Sequence, residues 1–346
     1  MNPERVRTGE RVPHGGSDDA DLLDFSANTT TRVPDGAREV YQAAFETARR
    51  YPDDSYPEFR DAAADTVGCE PAQVVPAPGG LAAIRLAIAT RVEAGDTVLV
   101  PSPSFSEYAR EVSLQGGDPV FVPNDEVLDA DPEPHEMAVV CQPNNPTGEA
   151  VDPAALRGFA DRCREAGTEL LVDEAFLDFT DLGSLAGHPG VVVARSLTKM
   201  YGLPGIRVGF AVASGDRLAD LKTARRAWNL STPAAAVGSH CLRDEAFVAR
   251  TRVRVRVERE RLRDALSTRF EVFDSDAPFL LFDAGDESVE DLLTTARDAG
   301  VVLRDARTFR GLDNHIRVAV KDRAANDQLL AALGLSSAVE GDTGGE

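Results

Sequence analysis

The chain has 346 residues, 42% hydrophobic and 27% charged, a globular composition too long for one ordinary core, so a larger and a smaller domain are expected. Its formal net charge is −21, and of 37 basic residues only Lys199, Lys222 and Lys321 are lysines. So acidic a surface repels phosphates and excludes nucleic acid and anionic membrane as partners. It fits adaptation to a very salty cytoplasm, where screening tames the self-repulsion of carboxylates. No apolar run approaches the ~20 residues of a membrane span. The charged first residues lack the apolar core of a signal peptide, so a cytoplasmic protein is expected. Cys69, Cys141, Cys163 and Cys241 are scattered without metal-ligand spacing and read as free thiols, with no metal site.

Residues 1–36, rich in Gly, Pro, Asp and Thr, read as an extended arm that joins the smaller domain and carries one short strand over 22–26. A helix is expected over 37–49, followed by the turn-rich stretch Tyr51-Pro-Asp-Asp-Ser-Tyr-Pro57. Strand-like apolar runs then occupy 97–100, 119–122, 137–141, 169–172, 191–194 and 208–213. Short, nearly continuous apolar runs between helical patterns imply strands buried on both faces of a mostly parallel sheet. The large domain of this α/β fold is expected over 37–240. One long Arg/Glu-rich helix is expected over 233–267, leading into a smaller α+β domain over 241–335. The polar tail, 336–346, is expected to be disordered.

Three runs carry chemistry. The first is Ser196-Leu-Thr-Lys199-Met-Tyr-Gly-Leu-Pro-Gly-Ile-Arg207-Val-Gly209. It follows an apolar strand, so Lys199 falls at a strand's carboxyl end, where α/β folds hold their ligands. An amine in a partly desolvated site loses its proton readily and can condense with an aldehyde. Ser196 and Arg207 bring a hydroxyl and a guanidinium, groups that grip a phosphate. The second run, Val172-Asp173-Glu-Ala-Phe176, is an apolar strand ending in acids. Asp173 is there either a carboxylate aimed into the crevice of Lys199 or the N-cap of a βα loop. The third, Cys141-Gln-Pro-Asn-Asn145-Pro-Thr-Gly148, closes a strand in a tight turn and offers the Asn145 amide.

In this order and spacing the three runs resemble the class I/II aminotransferase superfamily, the fold type I enzymes of pyridoxal 5′-phosphate. The resemblance covers the chain to about residue 335 and implies a mostly parallel seven-stranded sheet with a smaller α+β domain. It implies Lys199 as the Schiff-base lysine, Asp173 as partner of the pyridine nitrogen and Asn145 as donor to the ring oxygen. Ser196 and Arg207 would bind the cofactor phosphate together with the loop Gly79-Gly80-Leu81, where the opening amides of a helix attract an anion. That loop lacks the usual flanking Asn and Ser/Thr, so backbone donors must do more. Phe105 would stack on the cofactor with Tyr108 beside it. Tyr51 would reach the phosphate of a neighbouring subunit, which implies a homodimer.

Four features resemble a narrower family, the L-threonine-O-3-phosphate decarboxylases of cobalamin biosynthesis. They are His14-Gly-Gly16, Asp24-Phe-Ser-Ala-Asn28, Phe176 where most aminotransferases carry tyrosine, and Val302-Leu-Arg304-Asp-Ala-Arg-Thr-Phe-Arg-Gly-Leu312 running into Arg317. A phosphorylated amino acid brings two anionic groups, for which Arg304 and Arg317 are candidates, with His14 and Asn28 as further donors. Ser17 and Thr29 depart from the family's arm. The sister family, histidinol-phosphate aminotransferases, is the alternative, with the same cofactor and also a phosphorylated substrate. A fold-only protein that had lost catalysis would lack Lys199 or Asp173. A nicotinamide enzyme would need a Gly-x-Gly-x-x-Gly run, which Pro78-Gly79-Gly80-Leu81 is not.

Overall fold

In the computed structural model, which describes residues 1–335, the β-branched and apolar runs hydrogen-bond into three sheets. The N-terminal part contains α1 (Pro3–Thr8), β1 (Leu23–Asp24), α2 (Ala37–Thr47), α3 (Pro57–Val67), β2 (Val74–Ala77) and α4 (Gly80–Ala89). The central part follows with β3 (Thr97–Ser102), α5 (Glu107–Gln115), β4 (Asp118–Pro123), β5 (Met137–Cys141), α6 (Pro153–Ala166), β6 (Glu169–Asp173), β7 (Val191–Ser196), β8 (Gly209–Val212) and α7 (Gly215–Ala224). The chain then continues through α8 (Thr232–Leu242), α9 (Glu245–Leu266), β9 (Glu271–Val272), β10 (Phe279–Asp283), α10 (Val289–Asp298), β11 (Val301–Val302), β12 (Arg304–Asp305), β13 (His315–Ala319) and α11 (Arg323–Ala332).

The large sheet has seven strands in the order β2-β8-β7-β6-β5-β3-β4, and only β8 runs against the others. Every residue of β5, β6 and β7 is buried, as expected for strands covered on both faces. Their register sets Cys141 beside Asp173 and Asp173 beside Ala194. The carboxyl ends of three central strands therefore open on one crevice.

The second sheet, β12-β13-β10-β9, is antiparallel and buries Phe279, Leu280, Leu281 and Phe282. The arm reaches across to this side of the molecule. Leu23 and Asp24 pair in parallel with Val301 and Val302, and the Phe25 carbonyl accepts from the Ala319 amide at 2.9 Å. Asp24 then folds the arm back on itself. Its Oδ1 accepts from the Ser26 amide and hydroxyl at 2.7 and 2.6 Å, and the Ser26 hydroxyl accepts from the Gly16 amide at 2.7 Å. Gly15 lies so close to the Ser26 carbonyl that any Cβ would collide with it.

The structure corrects several sequence expectations. The single helix expected over 233–267 is two, because the chain breaks at Arg243–Asp244 and Asp244 caps α9 by accepting from the Phe247 amide at 2.8 Å. The arm is not wholly extended: Asn2 caps the short α1. Strand β2 escaped notice because Pro76 interrupts its apolar run. As an edge strand bonded only to β8 it tolerates the missing donor. The expectation for 336–346 lies outside the described residues. The cap gives the first test. Asp244→Ala should cost about 1 kcal/mol in urea unfolding and Asp244→Asn much less, since either Asp or Asn can accept from the Phe247 amide.

Candidate active site

Where the strands of the large sheet end, a cavity of about 370 Å³ opens between them, the arm and the second sheet. That size falls in the usual range for a small-molecule site. Lys199 reaches it from the turn after β7. Its amine lies 5.8 Å from the Phe176 ring centroid and donates to no acceptor among the described residues. Burial, helped by the nearby Arg317 and opposed by Asp173, pulls the amine from 10.5 down to about 8. A far larger share of it is therefore neutral and nucleophilic near neutral pH than of an ordinary lysine.

Asp173 ends β6 and is buried. Its Oδ2 accepts from the Tyr108 hydroxyl at 2.6 Å and its Oδ1 from the Ala175 amide at 3.0 Å. Burial raises its pKa, while those two bonds and Lys199 oppose the rise. Asp173 lines the cavity and is not a helix N-cap, since the next helical turn, Leu177–Phe179, is entered through Phe176. Asn145, in the turn after β5, accepts from Arg317 Nη1 through Oδ1, which leaves its amide N–H groups to donate into the cavity.

A cradle for an anion lies beside Lys199. The first N–H groups of α4 have no intrahelical acceptor, and the helix is entered through Gly79 at φ 100°. A Cβ on Gly79 would sit 2.6 Å from Arg207 Nη2, and one on Gly80 would sit 2.9 Å from the Ser196 Cβ. Only glycines let the loop close against the two side chains expected to grip a phosphate. Arg207 holds φ 57°, a conformation a non-glycine residue adopts at a cost of order 1 kcal/mol, and this aims its guanidinium at the loop. The Ser196 and Thr198 hydroxyls are paired at 2.8 Å on the same wall.

The opposite wall is cationic. Arg304 and Arg317 are cross-strand partners on β12 and β13, and the Phe309 ring lies 5.3 and 5.5 Å from their guanidinium carbons. Arg304 Nη2 donates to the Pro13 carbonyl at 2.8 Å and to the Thr308 hydroxyl at 2.9 Å. Arg317 Nη2 donates to the Ser26 carbonyl at 3.0 Å, and its buried Nε has no partner among the described residues. Burial and the proximity of Arg304 push the Arg317 guanidinium below its ordinary value, so an incoming anion is welcome there. The arm completes the wall with His14, whose Nε2 lies 2.9 Å from Glu107 Oε1, and with buried Asn28, whose Oδ1 is unpartnered.

The sequence-derived residues divide clearly. Gly80, Leu81, Phe105, Asn145, Asp173, Ser196, Lys199, Arg207, His14, Asn28, Arg304 and Arg317 all line this one cavity. Gly79 stands just behind Arg207. Tyr108 does lie beside Phe105, with ring centroids 5.5 Å apart, but it is not part of the cavity wall. It is wholly buried behind Asp173, because its place in the first turn of α5 turns it toward the sheet. Tyr51 is 79% exposed, stacks on Trp228 at 4.4 Å and does not line the cavity of its own chain. Sequence reasoning missed Phe309, Thr198 and Ser26. The Asp24-x-Ser26 spacing, a local side-chain-to-backbone turn, was the one available signal for the last.

The residues present fit pyridoxal phosphate: Lys199 would meet the aldehyde, Asp173 the pyridine nitrogen, Asn145 the ring oxygen, and the α4 amides with Ser196 and Arg207 the phosphate.

Residues 20–333 match the family described as aminotransferase class I and II. Histidinol-phosphate aminotransferase 1 of Archaeoglobus fulgidus is 31% identical over 290 residues, 82% of this chain and 89% of that one. Threonine-phosphate decarboxylase of Salmonella typhimurium is 30% identical over 331 residues, 90% of each chain. The crystal structure of histidinol-phosphate aminotransferase from Sinorhizobium meliloti, in complex with pyridoxal-5′-phosphate, shares the fold at a TM-score of 0.79 and 22% identity, covering 96% of this chain and 93% of that one.

The Lys199 environment makes a pH prediction. An ordinary lysine is charged up to about pH 10.4, whereas this amine is neutral above about pH 8. Covalent capture of pyridoxal phosphate by the apoprotein, trapped with borohydride and read by mass, should rise with pH and level off above about 8. Lys199→Arg should trap none at that position.

Proposed function

The chain belongs to the class I and II aminotransferase family, whose cofactor is pyridoxal 5′-phosphate, and on that premise we propose that it decarboxylates L-threonine O-3-phosphate to (R)-1-aminopropan-2-ol phosphate, a step of cobalamin biosynthesis. The observation that carries this reading is the convergence of Arg304, Arg317, His14 and Asn28 on the cavity that holds Lys199. An ordinary amino acid offers one carboxylate there. A phosphorylated one offers a carboxylate and a dianion, which two guanidiniums and two further polar groups can satisfy.

Bound pyridoxal phosphate supplies an electron sink for the pair left on the α-carbon when a bond to it breaks. The chain's residues do the rest. Asp173 would face the ring nitrogen and hold its proton there, its two hydrogen bonds opposing the rise that burial imposes on the carboxyl. Arg304 and Arg317 bind the substrate's anions, while Phe309 shields both guanidiniums from water and Phe279 that of Arg317. In decarboxylation the bond from the α-carbon to the carboxylate breaks, CO₂ leaves and a proton takes its place. Lys199, titrating near 8, can deliver that proton.

Transamination would instead use Lys199 to take the α-proton. Histidinol-phosphate aminotransferase is the second reading, because relatives of that name are equally similar and their substrate is also phosphorylated. In either case a homodimer in the cytoplasm is the working form we propose. Exposed Tyr51 would there approach the partner's cavity, and the carboxylate-rich surface would suit high salt.

The test is an assay of the cofactor-loaded protein in molar salt with L-threonine O-3-phosphate. CO₂ release without any keto acid, abolished by Lys199→Ala and reduced at least ~100-fold in kcat/KM by Arg317→Ala, is the expected result. Transfer from histidinol phosphate to 2-oxoglutarate with no CO₂ would replace this reading by the second.

A further inference from the structure

Tyr108 sits where no substrate reaches it, yet it touches the residue on which the cofactor's electronics depend. It is the second residue of α5, fully buried, with Phe105 packed edge-on at 5.5 Å. Its hydroxyl donates to Asp173 Oδ2 at 2.6 Å. The adjacent Cys141, the register partner of Asp173, keeps its thiol engaged with the Pro143 carbonyl at 3.2 Å. Burial pushes both the phenol and the thiol upward, so Tyr108 carries its proton at any working pH and is a permanent donor.

Asp173 has little else. Among the described residues each oxygen receives one hydrogen bond, from Tyr108 and from the Ala175 amide, and no arginine or lysine pairs with it directly. Against the desolvation that favours a neutral acid, the Tyr108 bond is the largest opposing influence.

Resting on the pyridoxal phosphate site described above, we propose that Tyr108 is a positioning residue: it aims Asp173 and keeps the shared proton of the pair on the cofactor's ring nitrogen. Two placements compete, carboxylate with protonated ring and neutral acid with neutral ring. Only the first makes the ring a strong electron sink. A short bond to the carboxylate favours the first placement alone, because the neutral acid has less need of a donor. Losing it should change the ratio of the two by on the order of ten- to a hundredfold.

The experiment is nitrogen-15 NMR of the protein loaded with ring-labelled pyridoxal phosphate, in the wild type and in Tyr108→Phe, with cofactor affinity measured alongside. The substitution removes one oxygen from a packed ring, and thermal unfolding checks that the fold survives. The expected result is a protonated-ring signal in the wild type and a shift toward the neutral-pyridine value in Tyr108→Phe, with cofactor bound on the order of tenfold more weakly. In an Asp173→Asn background the same substitution should add almost nothing, since the acceptor's charge is already gone. An unchanged ring signal in Tyr108→Phe, or equal losses in both backgrounds, would overturn the proposal and leave Tyr108 a packing residue. A neutral ring already in the wild type would overturn it together with the role given to Asp173.

Discussion

The constraint on which the site depends is that Arg304 and Arg317 are buried side by side with no carboxylate in ion-pair contact with either among the described residues. Among the described residues one other arginine is as fully buried, and it is treated differently: Arg195 is held between Glu174 and Asp178. Arg304 and Arg317 receive only a hydroxyl, an amide oxygen and two backbone carbonyls, all uncharged. A buried charge held by neutral acceptors is costly. In a chain of net charge −21 there is no shortage of carboxylates that could have relieved it. The cost makes sense if the charge is reserved for anions that arrive from outside.

The same two arginines organise the surroundings. They hold the arm at Pro13 and Ser26, so the segment that covers the cavity is fastened by the groups that would meet the substrate. Arg317 also orients Asn145 and lowers the proton affinity of Lys199, thereby linking the anion wall to the cofactor wall. Asp24 and Ser26 make the fastening possible by curling the arm so that a carbonyl faces inward. The large sheet contributes the other half: parallel strands end together, so Asn145, Asp173 and Lys199 arrive at one crevice from segments far apart in sequence.

Much of this was legible in the sequence because its signals are local. Short apolar runs ending in Asp173 or leading to Lys199 announce strand ends, and strand ends are where such folds bind ligands. A lysine count of three left little choice of nucleophile. What stayed hidden depended on orientation or on contacts between distant segments. Tyr108 and Phe105 are three residues apart, and whether they share a wall is decided by how α5 meets the sheet. The break at Asp244 has no Pro or Gly beside it to mark it, while β2 was masked by Pro76. The role of Phe309 was hidden, since it arises only when β12 and β13 bring two guanidiniums against one ring.

The central claim is that the cationic wall exists to bind a phosphate in addition to a carboxylate. Calorimetry of O-phospho-L-threonine and of L-threonine with the non-turning-over Lys199→Ala protein tests it most directly, because the two ligands differ by the phosphate alone. The account predicts that the phosphorylated ligand binds at least about a hundredfold more tightly, and that Arg304→Ala with Arg317→Ala removes most of the difference. Equal affinities in the parent protein would contradict it.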